Sequence, residues 1–355
     1  MDLSKPRVNW VDYAKGICIV LVVAMHSTLG VEKAAGEVSA LHGFIDWAKP
    51  FRMPDFFMIS GLFLASRINK PWRIFLDTKF VHFAYFYVLW MSIQFLTKGH
   101  DIYQTSGAAG LLQDYALGFV EPYGTLWFIY ILAIFFVVTK ALVKASPLYV
   151  FVVAALLEIA PIETGFLLID EFAARYVYFF AGYWLAKNIF KFAEQVNRRS
   201  AFHIFVGLLL WGVANFIFVK TGLAARPGIS LCLGFIGAGA VISMGVWFSK
   251  FGWAEVLRYL GKNSIVVYLA FFLFMAFTRV LLLRYLPNLN LAATSLITTF
   301  VGVAGPVALH RLTMNTRLDF LFKRPVWARL APQAKQWHSV AHVTKSQPSF
   351  KFKAR

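Results

Sequence analysis

From residue 10 to residue 312 the chain reads as a train of apolar blocks, most close to twenty residues long, separated by short polar stretches. A helix rises about 1.5 Å per residue, so about 20 apolar residues match a hydrocarbon core of roughly 30 Å. The blocks fall at 10–31, 44–66, 72–96, 126–143, 148–162, 167–189, 201–221, 229–248, 264–286 and 291–312; a longer polar stretch rich in Gly, Asp and Tyr fills 97–123. This pattern predicts an all-α integral membrane protein: a bundle of about ten transmembrane helices, with one broken helix near Pro50 and Pro54. Composition points the same way. Hydrophobic residues make up 59% and charged residues 15% of the 355, against about 45–50% and about 25% in soluble chains, which excludes an ordinary soluble domain.

The net charge of +18 is a matter of topology. With the N-terminus cytoplasmic, roughly 26 of the 35 basic residues fall on one side of the bundle, as the positive-inside rule requires. That side holds Lys5, Arg7, Lys15, Arg67, Lys70, Arg73, Lys79, Lys140, Lys144 and the later loops. The opposite loops carry Glu32, Glu37, Asp101, Asp114, Glu121, Glu163, Asp170 and Glu171. Both ends are therefore expected in the cytoplasm, with a membrane domain over 1–315 and a basic tail over 316–355 that rests on anionic lipids. No compact basic module with base-stacking aromatics is present, so nucleic acid is not an expected partner. The first block lacks a cleavage site and reads as a signal anchor. Cys18 and Cys232 lie inside apolar blocks, with neither a disulfide framework nor zinc spacing, and no metal is expected.

Ionisable residues within spans are costly and each needs a reason. In the first block Lys15 and His26 are separated by eleven positions, which places them about 20° apart on one helical face and about 16 Å apart in depth. Asp12 lies within about 40° of the same line. The stripe reads acid, ammonium, imidazole from the basic edge inward; the alternative for His26 is a helix–helix hydrogen bond. The second block contains Lys49-Pro50-Phe51-Arg52-Met53-Pro54-Asp55. Two prolines four apart free backbone carbonyls, which need protein or a polar cavity at membrane depth. Arg52 and Asp55 are expected beside His26 in such a cavity, the alternative being a structural pair between the two at i,i+3 spacing.

At these residues the chain resembles the acyltransferase family 3 membrane enzymes. Tyr13-Ala14-Lys15-Gly16 followed by His26 is similar to the family's opening signature, a basic residue and Gly with a His after ten residues intervening from the basic position. Met53-Pro54-Asp55-Phe56-Phe57-Met58-Ile59-Ser60-Gly61 is similar to its Met-Pro-x-Phe-Phe-x-Ile-Ser-Gly segment. Leu126-Trp127-Phe128 resembles the start of a middle span, and Gly261-Lys262-Asn263-Ser264 with Tyr268-Leu269 resembles a late motif. The resemblance covers residues 8 to 315. In two places the chain departs from the pattern: Lys15 stands where Arg is usual, and Phe271 and Phe272 stand where members often carry a His, whose role His82 or Arg175 could fill.

The resemblance implies transfer of an acyl group, acetyl above others, from cytoplasmic acyl-CoA to a hydroxyl of an envelope polysaccharide or lipid-linked sugar, in the bacterial inner (plasma) membrane. His26 and Asp12 are the catalytic candidates, with His26 acting as base or as transient acyl acceptor. Lys15, Arg52 and Lys79 are the candidates for holding acyl-CoA, whose phosphates suit a basic mouth. Asp55, Ser60, Trp127, Arg175, Asn263, Ser264 and Tyr268 are expected to line the substrate cavity. A secondary transporter shares the span count, broken helix and buried charges, but no paired broken helix or repeat is found in the second half. A third reading is a scaffold of polysaccharide assembly, should Lys15 disable catalysis.

Overall fold

A computed structural model describes residues 8–330, the side chains of residues 100 and 101 apart. Among the described residues every regular element is helical. In chain order these are α1 (Asn9–Ala35), α2 (His42–Leu62), α3 (Trp72–Leu76), α4 (His82–Leu117), α5 (Trp127–Ala141), α6 (Pro147–Ile159), α7 (Leu167–Trp184), α8 (Ala186–Asn197), α9 (Ala201–Lys220), α10 (Ile229–Phe248), α11 (Glu255–Lys262), α12 (Ser264–Tyr285) and α13 (Leu291–Thr313). A π-helical turn, Asp77–Val81, joins α3 to α4, so that Trp72–Gly99 forms one apolar helical segment.

Seven segments are long and apolar enough to cross a membrane, and the molecule is a multi-pass membrane protein. Three further helices account for the difference from about ten. α2 and α7 have the length but carry Asp46, Lys49, Arg52 and Asp55, and Asp170, Glu171 and Arg175 respectively. α6 is apolar but has 13 residues. Short connections turn successive long helices antiparallel, which gathers the acidic loops at one end of the bundle and the basic loops at the other.

The sequence expectation needs three corrections. α2 is not broken near Pro50 and Pro54; it runs as one helix through both. Each proline removes one intrahelical donor, but α2 is packed against α1, α7 and α10, and that tertiary packing holds the segment helical. The polar stretch at 97–123 is largely helix: α4 continues to Leu117 across Gly107, whose φ of 65° and ψ of −171° separate two helical pieces. The tail boundary at 315 is also not a structural one. Arg324 is buried against Asp77, its Nη2 2.9 Å from Oδ2 and its Nη1 donating to the Asp77 carbonyl at 2.7 Å. Trp90 and Tyr85 donate to the carbonyls of Leu321 and Phe320. Arg324 thus takes up the backbone oxygen of the residue that opens the π turn. Residues 331–355, where most of the lipid-binding tail was expected, lie outside the described residues.

Helices approach closely where small residues let backbones meet. A Cβ on Gly16 would strike the carbonyl oxygen of Leu257, and one on Gly261 would strike that of Asp12, so the opening and late motifs meet at the crossing of α1 and α11. The α2–α7 crossing is built the same way: Gly61 faces the Phe179 carbonyl and Gly182 that of Met58.

Candidate active site

α1 is one uninterrupted helix, so the stripe of Lys15 and His26 survives folding. His26 lies in the half of α1 nearer the acidic end. It opens into a cavity of about 220 Å³ walled by α1, α2, α5, α7 and α12. Val22, Met25 and His26 come from the opening motif, Arg52, Met53 and Phe56 from the proline segment, and Thr125, Trp127 and Phe128 from the middle motif. Tyr268 belongs to the late motif, and Leu167, Glu171 and Arg175 come from α7. Segments far apart in sequence therefore converge on one imidazole.

Aromatic packing fixes the walls. Phe56 stacks on Phe128 with centroids 4.5 Å apart, and Phe57 packs against Trp127, Phe128 and Phe135. Tyr268 donates its hydroxyl to the carbonyl of Thr125, tying α12 to the entry of α5. The His26 ring lies 5.4 Å from that of Phe271, so the aromatic at the position where a family His is often found packs directly on this imidazole. Among the described residues His26 has no hydrogen-bond partner, and its ring is partly open to the cavity.

Three charged groups share the space. Arg52 is 7% exposed, its Nε and Nη1 have no protein partner, and its charge acts on both His26 and Arg175. Arg175 is held by Glu171 one turn earlier, Nε to Oε2 at 3.1 Å. The cavity thus offers a neutral-capable base beside a guanidinium with unused donors, the pairing that acyl transfer to a hydroxyl needs.

The remaining predicted residues lie elsewhere. Asp55 points away from Arg52: Cys18 of α1 donates to its Oδ2, its Oδ1 has no partner, and the residue is 1% exposed. Asp55 is therefore not part of the His26 cavity, and no Arg52–Asp55 pair is formed among the described residues: Arg52 turns into the cavity while Asp55 turns to α1. Asp12 is buried at the α1–α11 crossing, about 21 Å along the helix from His26; it is not brought to the imidazole. Ser60 donates to the Phe56 carbonyl at 2.8 Å, and Asn263 to that of Tyr259 at 2.9 Å. Asn263 and Ser264 mark the turn from α11 into α12 and do not line the cavity.

Lys15 and Lys79 lie toward the basic end. Lys15 sits 5.8 Å from the Phe63 ring and Lys79 4.2 Å from that of Phe136. Arg67 and Lys15 both act electrostatically on Lys79, making a three-cation group from α1, the 63–71 loop and the π turn. Lys140 donates to the carbonyls of Ile68 and Lys70 and so holds that loop. His82 packs on Phe83 and Phe86, not in the cavity. Sequence reasoning missed Glu171 and Arg67, which entered only as topology markers. The i,i+4 spacing of Glu171 and Arg175 on an apolar helix was the readable signal.

Comparison with known proteins finds a family and a relative. The family described as "Acyltransferase domain" matches residues 8–311. Inner membrane protein YcfT of Escherichia coli (strain K12) is 24% identical over 355 residues, covering 90% of this chain and 97% of that protein. No solved structure matches.

Proposed function

Since the chain belongs to acyltransferase family 3, we propose that it is a membrane O-acyltransferase carrying an acyl group, acetyl above others, from acyl-CoA to a hydroxyl of an envelope glycan or lipid-linked sugar. The membrane it occupies is the bacterial inner membrane, with the basic end facing the cytoplasm. The observation that carries the reading is the convergence of all four motif segments on the His26 cavity.

Lys15, Arg67 and Lys79 offer the donor's phosphates a cationic mouth. His26 accepts the proton of the acceptor hydroxyl as its oxygen attacks the thioester carbonyl, and returns that proton to the departing thiolate. The unpartnered nitrogens of Arg52 suit the oxyanion that forms between the two steps. Arg175, braced by Glu171, adds positive charge to the same space.

Purified protein in lipid nanodiscs, given radiolabelled acetyl-CoA and base-treated envelope saccharide, should form base-labile acetyl ester. Envelope glycans of a strain lacking the protein should lose ester-linked acyl groups. An unchanged ester content together with no acetyl transfer in vitro would refute the assignment.

A further inference from the structure

A second polar cavity, of about 330 Å³, lies on another side of α2 near the acidic end of the bundle. Its polar wall is made by Asp46 and Lys49 of α2, Glu158 of α6, Arg175 and Tyr178 of α7 and Ser230 of α10; the turn between α9 and α10 closes one side. We propose that this cavity is a binding site for an uncharged sugar unit of the acceptor, entering from the acidic end, and that Arg175 is the wall it shares with the His26 cavity. The identity of the ligand rests on the acyl-transfer reading above.

Five observations support the site. The lining carries two carboxylates and two cations, and of these Arg175 is held by Glu171 and Asp46 lies 3.6 Å from His42, so no large excess of either sign faces the cavity. Carboxylates that only accept alternate with ammonium, guanidinium and phenol groups that donate, and a ring bearing several hydroxyls answers both kinds. One Glu158 oxygen accepts from Tyr178 at 3.3 Å, and the Ser230 side chain also faces this carboxylate, but the buried Oε2 accepts no hydrogen bond within 3.5 Å among the described residues. Such an acceptor is costly to leave unmet, and a sugar hydroxyl supplies the missing donor. Pro50 lines the cavity and has no N–H, so the Asp46 carbonyl one turn earlier lacks its helical donor. The volume stands at the lower end of ligand sites, roughly 300–1,000 Å³, which is room for a monosaccharide ring.

Arg175 lines both cavities. A glycan seated on this side of α2 would therefore reach toward Arg52 and His26 past that guanidinium. The proline segment and α7, the two charged spans, form the partition between the cavities.

The test is equilibrium binding to the full chain in nanodiscs. The probe is the base-treated saccharide fraction of the envelope, with acetyl-CoA binding measured in parallel. Asp46→Asn combined with Glu158→Gln should weaken saccharide binding at least 10-fold and leave acetyl-CoA affinity within 2-fold. Ala225→Trp, at an exposed position of the turn, should do the same by filling the cavity without altering the core, and it serves if the double variant fails to fold. Saccharide affinity within 2-fold of the parent in a folded variant overturns the site, as does a parent chain that binds none of the saccharide. If the parent binds saccharide but neither binds nor turns over acetyl-CoA, the acyl-transfer reading falls and the sugar site stands.

Discussion

His26 and Lys15 share a face of α1 but differ in depth by about 16 Å, and that difference separates chemistry from binding. His26→Ala should lower turnover about 100-fold or more while leaving acyl-CoA affinity nearly intact, since it removes proton transfer alone. Lys15→Ala should weaken acyl-CoA binding, and Lys15→Arg should keep or raise activity, because a guanidinium retains the charge and adds a fork. Single-turnover kinetics with titrated acetyl-CoA reads both; turnover by His26→Ala near the parent rate would remove its catalytic role. Cys18 and Asp55 present a different case, buried against each other and away from the cavity. Cys18→Ala should cost about 1–3 kcal/mol by leaving an acceptor unmet. Cys18→Ala combined with Asp55→Leu should recover much of that loss in thermal melts, because no polar group is then stranded. A double variant that melts normally but is inactive would instead give Asp55 a functional role.

Among the elements, α1 with α11 and α2 with α7 set the site, and both crossings depend on glycine. Gly261→Ala would place a methyl group against the backbone oxygen of Asp12, which has no flexible end to yield. Overpacking of this kind costs about 1–3 kcal/mol, so the variant should melt earlier and lose transfer activity. Gly239→Ala, where only the outer atoms of the Phe192 ring come near, is the control and should behave as the parent; equal melting of the two variants would show that the α1–α11 contact is not tight. These crossings also mark what a single sequence conceals. The apolar blocks were legible because each is a local run of nearly one helix length, and the Lys15–His26 stripe because it lies within one helix. The docking of α11 on α1 joins residues about 245 apart and leaves no local trace. Likewise Asp77 and Arg324, 247 positions apart, gave no sign that the start of the tail is strapped to the π turn. Pro50 and Pro54 misled for a related reason: local chemistry predicts a break, and packing by neighbouring helices overrides it.

At the scale of the whole molecule the charges sort by end. Arg67, Lys79, Lys140 and Lys250 lie toward the end of the bundle where α1 begins, whereas Glu32, Glu121 and Asp170 lie toward the opposite end. The transfer proposed above would use such polarity, with the donor reaching His26 from one end and the acceptor from the other. Ten antiparallel passes would put residues 8 and 330 on the same, basic side, which the positive-inside rule would assign to the cytoplasm. Two exposed positions decide the matter: Glu121, before α5, and Lys323, whose side chain is 70% exposed and meets only the surface carboxylate of Asp319. A membrane-impermeant maleimide added to intact cells should label Glu121→Cys and spare Lys323→Cys until the membrane is opened. Labelling of both from the same side would require an even number of crossings between them, against the seven made by α5, α6, α7, α9, α10, α12 and α13, and would overturn that alternation. It would also place the three-cation group and the His26 cavity in the wrong relation to cytoplasmic acyl-CoA, so the arrangement of donor and acceptor proposed here would fail with it.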